Sequence, residues 1–77
     1  MGHQALLTQE QVLSIANARA LKANVDLSGY DVRIEFEFTE KNHKWYVFYN
    51  GTDNVVGNDF LILVDDITGE THLFGGS

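Results

Sequence analysis

Few residues of this chain could act as a nucleophile, and those few lie in unsuitable places. A serine nucleophile needs a base beside it, and the candidates are expected in mid-helix for Ser14, in a connector for Ser28 and at the last position for Ser77. No histidine has an evident partnering distance from any of them. The chain has no cysteine, so neither a thiolate nucleophile nor a thiolate zinc site is available. The sequence therefore predicts a protein that is not an enzyme.

Metal and cofactor chemistry also lacks a convergent set of residues. Asp65 and Asp66 are adjacent, and neighbouring residues of a strand point to opposite faces, so the pair does not converge on one ion. We expect Asp65 to end a strand and Asp66 to begin a turn, because an aspartate side chain bonds the backbone there. His72 is expected to be a structural strand residue and His43 a solvated loop residue. No glycine run has the context of a phosphate loop, so no metal or cofactor is predicted.

The charge balance indicates which partners the chain can attract. Its 77 residues suit one domain, and 5 basic against 11 acidic residues give a formal net charge of -6. Such a field repels nucleic acid and anionic membranes and attracts basic proteins. The alternative is that acidity only keeps a small protein soluble. The lack of cysteine, of a long apolar stretch and of an export signal favours the cytoplasm.

The chain after residue 7 has the signals of an amphipathic helix. Residues 1–7 are interpreted as a flexible leader and residues 8–77 as a single domain. Thr8 and Gln11 have the spacing of a capping box, in which each side chain bonds a free backbone N–H at the start of a helix. The helix is predicted over residues 9–23. Its apolar stripe suits packing on a sheet and comprises Val12, Ile15, Ala16, Ala20 and Ala23, with Leu13 at its edge.

Period-two alternation and turn residues predict four strands after the helix. The strands are expected over residues 32–39, 44–50, 60–65 and 70–74. A hairpin loop over 40–43 and a long loop over 50–59 separate the first three. A turn over 66–69 joins the last two strands, with Gly69 at positive φ. The strand 60–65 is apolar on both faces and is expected to be central. The sequence therefore predicts an α+β fold, one N-terminal helix packed on a four-stranded antiparallel sheet.

The first hairpin predicts a surface away from the helix. Pairing of Thr39 with Lys44 would put three pairs on the core side, namely Phe38 with Trp45, Phe36 with Val47 and Ile34 with Tyr49. The opposite face would carry two aromatic side chains among charges, an exposed apolar patch of the kind that often binds a partner. The alternative is that a loop, the leader or a second copy covers it. The predicted partner-binding residues are Arg33, Glu35, Glu37, Tyr46 and Phe48, with Asp53 and Asp59 at the rim.

The second half of the chain carries a resemblance to a known family. Gly57 and Asn58 precede an apolar strand, the run VDDITGETHLF follows at residues 64–74, and an aromatic strand WYVFYN lies upstream at 45–50. This pattern resembles the immunity protein 35 family, also called the YrhB domain, over about residues 8–77. The hairpin alone is also similar to those of cystatin-like and PepSY-like domains, so the resemblance implies a fold of that arrangement.

The resemblance implies a bacterial, mostly cytoplasmic protein that binds a cognate toxin and blocks it, with no catalytic residues. An acidic inhibitor would gain association rate with a basic toxin. Two other functions stay open at this point. The chain could be a small chaperone-like or peptide-binding domain, as some relatives are described. It could also be a self-associating structural domain, in which Tyr46 and Phe48 form a homodimer interface.

Overall fold

The computed structural model describes residues 5–39, 43–51 and 59–75 and has one α-helix and one four-stranded antiparallel sheet within them. The strands are hydrogen-bonded in the order β1-β2-β3-β4. The predicted α+β fold is confirmed. The elements are helix α1 (Gln9–Lys22), a short 3-10 helix (Leu27–Gly29), and strands β1 (Tyr30–Phe38), β2 (His43–Gly51), β3 (Phe60–Asp65) and β4 (Thr71–Gly75). Within the described part of the chain, α1 is neither long nor apolar enough to cross a bilayer.

Helix α1 has well-defined hydrogen bonds at both ends. The Gln11 N–H donates to the Thr8 hydroxyl at 3.1 Å, and the Thr8 N–H donates to Gln11 Oε1 at 2.9 Å, so the predicted capping box is confirmed. At the other end, Asn24 has a φ of 64°, in the left-handed region. The Val25 N–H then donates to the Ala20 carbonyl at 3.1 Å, as at helix ends closed by a left-handed residue. The helix therefore stops one residue before the predicted end.

The core lies between α1 and one face of the sheet. The helix buries Val12, Ala16 and Ala20, spaced four residues apart on one side. Small alanines let the helix approach the sheet closely. The sheet contributes alternate residues of its two central strands, each removed from water at a gain of about 1.5 to 3 kcal/mol for a large apolar side chain. These are Trp45, Val47 and Tyr49 on β2, and Phe60, Ile62 and Val64 on β3.

The predicted pairing of the first hairpin is wrong by two residues. Trp45 pairs with Phe36 rather than Phe38, Val47 with Ile34, and Lys44 with Glu37 rather than Thr39. Side chains alternate between the two faces with a period of two, so a shift of two leaves each residue on the face predicted for it. In the hairpin of β3 and β4, Leu63 lies opposite His72.

Asp65 ends β3 and Asp66 begins the turn, as predicted, but the side chain that bonds the turn is not the expected one. Asp65, not Asp66, stabilises the turn, because its Oδ1 accepts from the Ile67 N–H at 2.8 Å and the Thr68 N–H at 3.0 Å. Gly69 has the predicted positive φ, 78°. Asp66 is buried instead, with 2% of its surface exposed.

Asp66 binds the described part of the predicted leader, residues 5–7. The N–H groups of Leu6 and Leu7 donate to its two carboxylate oxygens at 2.8 and 3.0 Å, and Trp45 Nε1 donates at 2.9 Å. Burial raises the pKa of Asp66, but these donors outweigh it and hold the pKa below its ordinary value. The carboxylate therefore fixes residues 6 and 7 to the domain.

Candidate partner-binding face

The side chains of the sheet that point away from α1 form what we call the outer face. Strand alternation assigns it from the register, because residues opposite one another share a face. The face comprises Asp31, Arg33, Glu35 and Glu37 on β1, Lys44, Tyr46, Phe48 and Asn50 on β2, Leu61, Leu63 and Asp65 on β3, and His72 and Phe74 on β4. Five of these positions are apolar or aromatic, and charged residues of β1 lie along one side.

Tyr46 and Phe48 lie at the centre of the first hairpin and stack on each other. Their ring centroids are 6.3 Å apart and their planes differ by 14°. The Tyr46 hydroxyl donates to Glu37 Oε1 at 2.8 Å, and this bond is the largest cause of a raised Tyr46 pKa. Both side chains are half-buried. The hydrogen bond and the stacking fix both rings in position before any partner binds.

Arg33 lies over the ring of Phe48. Its guanidinium carbon is 4.6 Å from the ring centroid, within the range of a cation–π contact. The same guanidinium pairs with Glu35, at 3.2 Å between Nε and Oε2. Arg33 faces Phe48 across the strand pair and Glu35 faces Tyr46, so these four side chains form one cluster.

The apolar part of the outer face extends further than the sequence prediction. Leu63 lies opposite Tyr46, and Leu61 opposite both Phe48 and Phe74. Phe74 has 48% of its surface exposed. The signal for these residues was present in the sequence, because the third strand is apolar at every position before Asp65, and one of its faces must then add to the surface away from the helix.

A groove of about 330 Å³ crosses one end of the outer face. Its lining is mostly apolar and includes Phe48, Leu61 and Phe74, with Asp59 at the margin. The Asp59 side chain is exposed and accepts from the Gly51 N–H at 2.9 Å. Asp59 therefore lies beside the apolar residues of the groove, and Asp53, the other predicted rim residue, lies outside the described residues.

The opposite end of the outer face carries an ion pair. Lys44 Nζ donates to Asp65 Oδ2 at 2.7 Å, and both side chains are partly shielded. This bond, with the turn N–H groups of Thr68 and Ile67, holds the pKa of Asp65 well below its ordinary value. Both oxygens of the Asp65 carboxylate are thus used, one by Lys44 and the other by the turn N–H groups. Glu35 and Glu37 lie at the side of the face on β1, where Glu35 pairs with Arg33 and Glu37 accepts from Tyr46.

The structure brings together Arg33, Glu35, Glu37, Tyr46 and Phe48, the five predicted binding residues of the first hairpin, on one face. Among the residues that the structure describes, no three His, Asp or Glu side chains are grouped so that they could hold a metal ion. Comparison of the chain with models of known protein families, with curated proteins and with solved structures finds no match.

Proposed function

We propose that this chain is a protein-binding module that neutralises a basic bacterial protein toxin in the cytoplasm, and that it binds the toxin through the outer face. The observation that carries the proposal is the pair Tyr46 and Phe48, two stacked rings beside Glu35 and Glu37. Tyrosine and other large aromatic side chains dominate the energy of protein interfaces when they lie near the centre of a buried patch. Leu61, Leu63 and Phe74 would enlarge that patch.

The charge of the chain supports a basic partner. The net charge is -6, and a surface of one sign accelerates association with a partner of the other sign. The assignment of the partner as a toxin comes from the resemblance of residues 64–74 and 45–50 to the immunity protein 35 family. Binding through an acidic, aromatic face requires no catalysis, so we propose a stoichiometric inhibitor rather than an enzyme.

A pull-down with the toxin domain encoded next to this chain's gene tests the proposal. The double variant Tyr46→Ala, Phe48→Ala should weaken binding about 30-fold or more, the loss typical of hot-spot residues. Leu21→Ala is the matched control, because Leu21 is an exposed apolar residue of α1 with 59% of its surface accessible. Unchanged binding by a folded double variant would reject the outer face as the binding surface.

A second candidate function is self-association through the same face. The observation that favours it is the apolar area contributed by Leu61, Leu63 and Phe74, which needs no charged partner. Light scattering distinguishes the two functions. Self-association predicts that the molar mass rises from that of a monomer to that of a dimer as the protein concentration increases. The toxin-binding proposal predicts a monomer until a basic partner is added.

A further inference from the structure

We infer that the Phe48 ring and the Glu35 carboxylate form a seat for a cationic side chain of the partner, arginine before lysine, and that Arg33 occupies this seat until a partner displaces it. The seat is defined by Phe48, Glu35 and the adjoining Tyr46 and Glu37. This inference rests on the proposed function for the identity of the partner. Its chemistry rests on contacts within this chain.

The first argument is that a guanidinium already lies in the seat. Arg33 has its guanidinium carbon 4.6 Å from the Phe48 centroid and its Nε 3.2 Å from Glu35 Oε2. A ring face and a carboxylate together satisfy both the delocalised charge and the N–H donors of a guanidinium. The contacts of Arg33 therefore identify the class of group that this position accepts.

The second argument is that Arg33 is held weakly. The side chains of Arg33 and Glu35 are 62% and 57% exposed. Ion pairs and cation–π contacts at such exposure contribute little, because water competes for both charges. A partner that covers the outer face would exclude that water and strengthen the same contacts for its own side chain. Displacing Arg33 from the seat therefore costs little free energy.

The third argument is the space and charge beside the seat. A notch of about 310 Å³ opens next to it, lined by Glu35, Phe36, Glu37, Tyr46 and Phe48. The Glu37 carboxylate already accepts from the Tyr46 hydroxyl, which fixes its position. A second carboxylate at the notch increases the attraction for a cation that arrives from outside. Among the described residues of the outer face, two cations are nearby; Lys44 is paired with Asp65, which leaves Arg33 as the competitor.

Arg33 is consequently a residue that sets specificity. While Arg33 occupies the seat, only a partner with a competing cation can bind there. For a neutral or acidic partner, the charge of Glu35 stays neutralised by Arg33. Arg33 lowers the affinity for weakly basic surfaces without removing the seat itself. Discrimination by an internal competitor is a form of selection against wrong partners.

An NMR titration with acetyl-arginine amide tests the seat without any partner protein. Signals of Phe48, Tyr46 and Glu35 should shift, and acetyl-citrulline amide, which is neutral and nearly isosteric, should leave them unchanged. Arg33→Ala should bind the arginine probe about two- to tenfold more tightly, the gain expected when weak exposed contacts no longer compete. Glu35→Gln should weaken it.

Lys22→Ala is the matched control for Arg33→Ala. Both variants remove one positive charge, and Lys22 lies in the last turn of α1, on the other side of the sheet. An effect of net charge would strengthen probe binding equally in both variants. The inference of a seat would be rejected by equal probe binding in the two variants or by weaker binding in Arg33→Ala. It would also be rejected by signal shifts located away from Phe48.

The titration separates this inference from the proposed function. If the arginine probe shifts Phe48 but the toxin still binds the Tyr46→Ala, Phe48→Ala variant, the seat stands and the toxin-binding surface is wrong. If the toxin requires the two rings but the probe leaves Phe48 unaffected, the surface stands and the seat is wrong. Arg33→Ala should also slow dissociation of the toxin if both are correct.

Discussion

The indole Nε1 of Trp45 donates a hydrogen bond of 2.9 Å to the buried carboxylate of Asp66. The bond joins β2 to the end of β3, and the same carboxylate accepts from the N–H groups of Leu6 and Leu7. Three donors thus meet one charge in an almost solvent-free position. Each donor would lose its partner if this one side chain were changed.

Replacing Asp66 by asparagine should destabilise the fold. Asparagine keeps the shape but offers one acceptor oxygen and turns an NH2 group toward backbone donors, at a cost of about 1 to 3 kcal/mol for unsatisfied buried groups. Urea unfolding followed by the fluorescence of Trp45, the single tryptophan, measures the loss. Asp31→Asn, an exposed carboxyl of β1, is the control, and an equal loss in both variants would contradict the role of Asp66.

Acid should remove the stabilisation contributed by Asp65. Its pKa is held well below the ordinary value of an aspartate, first by Lys44 and then by turn N–H groups. A carboxyl whose pKa is lower in the folded than in the unfolded state stabilises the fold above its unfolded pKa and loses that contribution as pH falls toward the folded pKa.

The free energy of unfolding should therefore differ between the protein and Asp65→Asn at neutral pH, and that difference should shrink below about pH 4. The comparison cancels the general effect of neutralising the other carboxyls. Urea unfolding at several pH values gives the free energy of unfolding of the protein and of Asp65→Asn. A difference between them that grows on acidification would contradict the expected direction of the pH effect.

Tyr49 should titrate later than an ordinary tyrosine. Burial raises its pKa to about 12, and its hydroxyl donates to Asn17 Oδ1 at 2.7 Å. A raised pKa disfavours the tyrosinate in the folded state, so the protein should lose stability as pH rises above the unfolded value of about 10. Because the pKa of Tyr46 is also raised, absorbance of tyrosinate against pH should show a late transition that is smaller by one tyrosine in Tyr49→Phe and is missing in urea.

Gly69→Ala should lower the free energy of unfolding by about 1 to 2 kcal/mol through backbone strain alone. The φ of Gly69 is 78°, and a Cβ built there meets nothing within 4 Å, so no side-chain clash adds to the loss. Gly69→Asn is the matched variant, because asparagine tolerates the left-handed region better. Equal losses in the two variants would indicate that strain is not the cause.

Which residues of the first hairpin lie on the outer face was predictable, because alternate positions of a strand point to opposite faces. The register of the hairpin was not predictable. Alternation of Ile34 and Phe36 with Glu35 and Glu37 assigns each residue to a face whichever partner it pairs with. The pairing itself depends on the loop between the strands, and residues 40–42 contain none of the two-residue turn signals that fix a register. The prediction was therefore two residues out.

The roles of Asp65 and Asp66 could not be separated from the sequence. Either aspartate could bond a turn, and the choice depends on which one faces the core at the end of β3. The indole of Trp45 lies on the core side and leaves a donor for Asp66, while Lys44 lies on the outer face and pairs with Asp65. Both selecting partners are about 20 residues away, so the assignment is tertiary rather than local.

The bonds from Leu6 and Leu7 to Asp66 have a mechanical consequence. They close a loop of 60 residues between Leu6 and Asp66 in a chain that has no cysteine to cross-link. Unlike a disulfide, which also constrains the unfolded chain, these hydrogen bonds break on unfolding and close the loop only in the folded state. A force applied at the amino-terminal end would load these two hydrogen bonds before it loaded α1. The first event under tension would therefore be the release of residues 6 and 7 from Asp66, with the sheet intact.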